Sequence, residues 1–270
     1  MSFRTVRKGP LEYLTAECIH GGAVHAFSTR LGGVSQGHLA SLNLGTHRGD
    51  DRENVLKNYE ILANALGFRR EDTVFAKQIH GCHVARVGKN DRGDGLLREV
   101  TEPRDGLITN EANVALVVFS ADCTPILLHD PVTGAIGAVH SGWRGTAQGI
   151  AKIAVERMTE EFGTDPADLQ AAIGPCISRC CFETHGDVPA AMREALGPAA
   201  EAAIQPVGEK FRVDLKLLNK IWLEQAGVKT IDISQDCTCC QPQRFWTHRK
   251  VGDARGSLAA VILRRDGEAG

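Results

Sequence analysis

The chain has 270 residues, enough for one α/β domain or two small ones, with 43% hydrophobic and 24% charged residues. That is the composition of an ordinary soluble globular protein, and a formal net charge of -2 gives no basic field for nucleic acid. No run approaches a membrane span of about 18 apolar residues, so neither nucleic acid nor membrane is an expected partner. The opening MSFRTVRKGPLEYL lacks a signal-peptide pattern. The nine cysteines are therefore expected as thiols of a cytoplasmic protein, not as a disulfide framework.

In chain order, the first helical periodicity is 52–66 (RENVLKNYEILANAL), closed by Gly67. Short apolar runs without polar alternation follow: TVFAKQI around 74–76, GLIT at 106–108, VALVVF at 114–119, ILL at 126–128 and AIGAV at 135–139. Two more lie at 171–173 and 258–263. Their β-branched content predicts strands covered on both faces. Between the first two runs, 88–104 is rich in Gly and charge and reads as a surface excursion. A second helix is predicted over 146–162, closed by Gly163. A third is predicted over 214–226, with Asp214 as cap and Gly227 as stop. No stretch has the composition of a linker, so residues 1–270 read as a single layered α/β domain whose sheet order is not legible.

Three metal-capable side chains fall at or just beyond the ends of apolar runs. His80 precedes Gly81, Cys123 precedes Thr124-Pro125, and His140 precedes Ser141-Gly142-Trp143-Arg144-Gly145. Sheet proteins place ligands at strand ends. Two imidazoles and a thiolate suit zinc and leave a fourth position for water or substrate, the mark of a catalytic site. Singly, each also fits a buried residue that merely fills space. His83 is a substitute ligand that reads better as an ordinary polar residue. After His140, a Gly-containing turn into a helix, with Arg144 as a fixed positive fork, forms an anion-site pattern. It is not a Walker loop. Arg30, ahead of a Gly pair, fits either close backbone approach or a surface turn. Asp122 and Asp105 are candidates to orient a ligand or move a proton. Cys237, Cys239 and Cys240, with Cys176, Cys180 and Cys181, offer thiols for a second structural zinc. Their C-x-C-C and C-x-x-x-C-C spacings match no common ribbon.

The strings STRLGGVS, ASLNLG, KQIHG, DGLIT, ADCTPILL, AVHSGWRGT and AAIGPCIS, in this order, resemble the laccase-domain (YfiH-like, polyphenol-oxidase-like) purine nucleoside phosphorylase family from about residue 25 onward. The resemblance implies a single α/β domain related to the catalytic domain of cytotoxic necrotizing factor toxins. It implies that His80, Cys123 and His140 are the metal ligands and share catalysis with Asp122. Arg30, Arg48, Lys77, Gln78 and Arg144 are the implied substrate contacts. The implied reaction is phosphorolysis of adenosine, inosine, guanosine and methylthioadenosine to base and ribose 1-phosphate, with adenosine deamination, using zinc or, alternatively, copper. Two rival readings accompany it: a metal-free Cys123–His140 hydrolase editing peptidoglycan precursors, and a mononuclear-copper polyphenol oxidase. A multicopper centre lacks material, because none of the ten histidines is spaced H-x-H. CTCC and FWTHRK near the C-terminus depart from the family pattern.

Overall fold

A computed structural model describes residues 3–265. In chain order the elements are β1 (Phe3–Lys8), β2 (Leu11–Ala16), β3 (Ala23–Ser28), α1 (Arg52–Leu66), β4 (Thr73–Phe75), β5 (Val84–Arg86), β6 (Gly106–Thr109) and β7 (Ala115–Ser120). Then come β8 (Thr124–His129), β9 (Ile136–Ser141), α2 (Trp143–Ala147), α3 (Ile150–Phe162), β10 (Gln170–Ile173), β11 (Glu183–Thr184) and α4 (Asp187–Leu196). The last are β12 (Ile204–Val207), β13 (Lys210–Val213), α5 (Leu215–Gln225), β14 (Thr230–Ile233), α6 (His248–Val251) and β15 (Leu258–Arg264). No helix among the described residues is long and apolar enough to cross a membrane.

Two six-stranded sheets carry the fold, in the orders β1-β2-β3-β15-β7-β4 and β14-β10-β8-β9-β6-β5. The period-2 geometry of a strand explains how they stack. On β7, Leu116 and Val118 join Leu107, Leu127, Ile136 and Ala138 of the second sheet in the core between the layers. Their neighbours Ala115 and Val117 face the other way, onto Tyr59 and Leu62 of α1. On the second sheet, Ile108, Ile126 and Val139 likewise turn outward onto Ala154, Val155 and Met158 of α3. The result is a helix–sheet–sheet–helix stack. Strands buried on both faces explain why the sequence shows apolar runs instead of alternation. A small sheet, β11-β13-β12, packs with α4 and α5 around Met192 and Leu218.

Helix α1 spans the predicted residues because its ends are locally coded. Asp51 accepts the Glu53 N–H at 2.9 Å, and Gly67 takes a left-handed φ of 75°. The predicted helix over 146–162 is instead two pieces, α2 and α3, broken at Gly149 (φ 74°). The indole N–H of Trp222 donates to the Thr146 carbonyl at 2.7 Å, and its ring lies 3.4 Å from where a Gly149 Cβ would stand. A long-range partner thus takes the acceptor that would continue the helix. The expected surface excursion over 88–104 is irregular and about half exposed, but it is anchored at several points. Leu96, Val100 and Arg104 are buried, and Arg104 donates to the Phe75 carbonyl and to Asp94.

Candidate metal centre

Ala121-Asp122-Cys123 is the tight crossing by which the chain leaves β7 in one sheet and enters β8 in the other. Asp122 adopts φ 89° there. Cys123 is half-buried and faces a cavity of about 900 Å³. His140, on β9, pairs with Pro125 of β8 and so lies beside the crossing. His80 is not at the end of a strand: β4 stops at Phe75, and His80 sits in the following loop with φ 62°.

Asp105, fully buried, brings these pieces together. Its carboxylate accepts N–H bonds from Ile79 (3.1 Å), His80 (3.0 Å) and Gly81 (2.9 Å), which fixes the loop carrying His80. The same carboxylate lies 2.8 Å from Nδ1 of His140. An ionised carboxylate only accepts, so Nδ1 donates to Asp105 and Nε2 is the nitrogen turned toward Cys123 and the cavity, which must give up its proton for a metal to bind there. The His80 and His140 rings stand 4.9 Å apart at 84°. The ligating atoms of His80, Cys123 and His140 all lie within 4.8 Å of one another. Gly142 makes room for them: a Cβ there would sit 2.9 Å from His80 Cδ2 and 3.4 Å from Cys123 Sγ.

The electrostatics favour a thiolate. Burial pushes the Cys123 thiol up, but His140 and His80 more than reverse this and bring it to about 6. Burial pushes His140 down, and the thiolate and Asp105 carry it up to about 9. Asp105 itself is held low against its burial by His140 and by the backbone N–H groups. This donor set suits a divalent ion of zinc's character, with two nitrogens and one thiolate sulfur converging on an open cavity.

The other expected site residues divide. Arg48, Lys77, Gln78 and Asp122 line the cavity. Gln78 is also a brace, exchanging two hydrogen bonds with the Phe119 backbone at 2.6 and 2.9 Å. Both Asp122 oxygens are engaged: the Thr238 hydroxyl donates to one at 2.6 Å and the Arg249 N–H to the other at 2.6 Å. Arg30 lies outside the cavity lining. It stacks 3.7 Å from the Trp246 ring centre and donates to the carbonyls of Ala40 and Pro242. Arg144 is exposed on α2, stacks on Trp143 and also lies outside the lining. His83 contacts the Pro103 carbonyl and is no part of the cluster.

The sequence reading missed Arg255, Arg249 and His248, which line the cavity from the segment before β15. Burial, aided by repulsion from Arg48, lowers Arg255 below the usual guanidinium range. Its buried Nε meets no acceptor among the described residues. The available signal was a cation just ahead of the apolar run 258–263, at the opposite end of a run from where the metal-capable residues were recognised.

The family profile described as Multi-copper polyphenol oxidoreductase laccase matches residues 24–265. The chain is 39% identical over 250 residues to Purine nucleoside phosphorylase YlmD of Geobacillus stearothermophilus, covering 91% of each chain. A crystal structure of YlmD from the same organism superimposes with a TM-score of 0.91 at 37% identity, covering 97% of this chain and 99% of that one. The chain is also 34% identical to Adenosine deaminase RL5 of an unknown prokaryotic organism, over 89% of this chain and 94% of that one.

Proposed function

The chain belongs to the family described as multi-copper polyphenol oxidoreductase laccase, and from that premise we propose that it is a zinc-dependent purine nucleoside phosphorylase with adenosine deaminase activity. The observation that carries the reading is one cavity holding both the His80–Cys123–His140 donor set and the guanidinium groups of Arg48 and Arg255. Relatives named for both activities support it. His80, Cys123 and His140 would hold the ion, which supplies a divalent positive charge to substrate oxygens.

The protein's own side chains do the rest of the work. Arg255, with an unmet buried Nε, and Arg48 beside it bind inorganic phosphate. Phe119, Trp143 and Phe182 offer apolar walls for a purine. A phosphate oxygen attacks ribose C1′ while the bond from C1′ to purine N9 breaks, and its electron pair goes to the base. Adenosine, inosine, guanosine and methylthioadenosine all present that bond. In deamination, water oxygen adds at purine C6 and ammonia leaves. Asp122, anchored by Thr238 and Arg249, faces the cavity as the group that relays a proton.

Residues 1–270 are read as a single domain, since both sheets draw strands from well-separated parts of the sequence. The kinship to the necrotizing-factor catalytic domain rests on the Cys–His pair at the junction of the layers. The free state of all nine cysteines supports a cytoplasmic location. A multicopper centre is disfavoured because, of the two convergent donor groups among the described residues, only one contains histidine. A multinuclear oxygen-reducing centre would need many more.

One observation favours a second reading, the metal-free hydrolase: Asp105, His140 and Cys123 are placed as orienter, base and nucleophile. Metal content and phosphate-dependent turnover of adenosine decide between them. Zinc that is lost in His80→Ala, with adenine and ribose 1-phosphate as products, supports the phosphorylase. A metal-free protein that leaves nucleosides unchanged but hydrolyses a peptidoglycan precursor overturns it.

A further inference from the structure

Away from the cavity's donor set, two irregular segments meet. One links β10 to β11 and carries Cys180 and Cys181; the other follows β14 and carries Cys237 and Cys240. The four Sγ atoms all lie within 4.8 Å of one another. Three of the contacts are 3.3 Å (Cys181–Cys240), 3.6 Å (Cys180–Cys240) and 3.8 Å (Cys180–Cys181). Four sulfurs around a tetrahedral zinc, at bonds of about 2.3 Å, stand about 3.8 Å apart. A disulfide would need roughly 2.05 Å, and all four are free thiols. An iron–sulfur cluster would stand between its ligands and hold them further apart.

We propose that Cys180, Cys181, Cys237 and Cys240 form a second metal site, a four-thiolate structural zinc that staples the two segments together. Cys237 and Cys240 form a C-x-x-C pair, which the tighter C-x-C-C reading conceals. Of the six cysteines considered from sequence, Cys176 and Cys239 fall outside the convergent group.

The surroundings are those of a metal-bound thiolate. The Ser178 N–H is directed at Cys237 Sγ at 3.3 Å. Four thiolates around one divalent ion carry a net negative charge, and two cations brace the same segments. Lys216, 6% exposed, donates to Ser178 Oγ at 3.0 Å and to the carbonyls of Ser234 and Asp236 at 2.7 Å each. Arg249 donates to the carbonyls of Cys181 and Glu183. The two segments contain little regular structure, the circumstance in which a metal contributes most to order.

The staple also reaches the first centre. Thr238, inside the C-x-x-C, bonds Asp122, and the Ile177 N–H donates to the Asp122 carbonyl at 3.0 Å. Ile177 and Phe182 are cavity wall. The second metal therefore positions the crossing that carries Cys123.

The test is metal analysis of protein purified without oxygen or chelator. Wild type should carry about two zinc ions per chain, and Cys240→Ser and His80→Ala about one each. Cys240→Ser should also melt at a lower temperature. If Cys240→Ser fails to fold, cobalt loading of His80→Ala decides. Strong sulfur-to-cobalt charge-transfer absorption with tetrahedral d–d bands supports the site, and its absence overturns it. A single zinc in wild type, lost with His80→Ala and retained in Cys240→Ser, also overturns the proposal. So does an intact mass lower by the two hydrogens of a Cys181–Cys240 disulfide.

Discussion

Replacing Asp105 with Asn tests whether one buried carboxylate holds the metal centre together. Each Asp105 oxygen serves two donors: Oδ1 takes the His80 N–H and His140 Nδ1, and Oδ2 takes the Ile79 and Gly81 N–H groups. Asn retains one acceptor. If its oxygen keeps the Oδ1 position, its NH2 faces two amide protons; if it flips, the NH2 faces His140. Two donors aimed at this buried carboxylate lose their acceptor either way, at up to about 1–3 kcal/mol each. Loss of charge-assisted bonding adds a similar amount. The expected cost is on the order of 3–5 kcal/mol in urea unfolding. Without its orienting partner, His140 should also bind metal about 10–100-fold more weakly, measured by competition with a chromophoric chelator. An Asp105→Asn protein with wild-type metal affinity would refute the claim that this carboxylate sets the histidine's tautomer and direction.

Three further outcomes follow from the same geometry. In metal-stripped protein, alkylation of Cys123, followed by peptide mass, should titrate with a midpoint near 6 and be suppressed by zinc; a midpoint near the ordinary 9.0 would exclude the thiolate–imidazolium pair. His25 Nε2 accepts the Ala16 N–H at 2.8 Å, and burial lowers the ring from 6.5 to about 4. Its contribution is complete above 6.5 and lost as pH falls toward 4, because the unfolded chain takes up the proton first. Wild type should lose roughly 3 kcal/mol more than His25→Gln across that window, and parallel pH profiles would contradict this. Gly142 has φ -70°, which Ala tolerates, yet the added Cβ meets His80 and Cys123. Gly142→Ala should keep its melting temperature and lose metal affinity; the reverse pattern would show that the glycine serves the backbone and not the site.

Legibility followed the range of the interactions. Helix α1 could be read end to end because Asp51 and Gly67 code its boundaries locally. The central strands could be read because burial on both faces leaves unbroken apolar runs, as in β7 and β8. β1 was invisible: an edge strand of sequence FRTVRK buries too little to show a pattern. The break at Gly149 depended on Trp222, far along the chain. At the site, the residue types of the donors stood out, whereas the grip of Asp105 on two distant segments did not. Nor did the removal of Arg30 and Arg144 to stacking roles against tryptophans, because a guanidinium's partner is chosen by the folded surface.

The placement of β15 bears on how the molecule assembles. It lies between β3 and β7, with Ala260 opposite both Phe27 and Val118, so one hydrogen-bonded neighbour is nearly the whole described chain away and the other about half of it. Such pairing is entropically costly to close and makes for slow folding. Until β15 inserts, the apolar edges of β3 and β7 stand open and prone to association with other chains. The crossing that bears Cys123 leaves β7 directly, and Arg255 and Ser257 enter the cavity just ahead of β15. The wall of the cavity is therefore completed only once β15 is in place. Slow synthesis at low temperature should raise the yield of soluble protein.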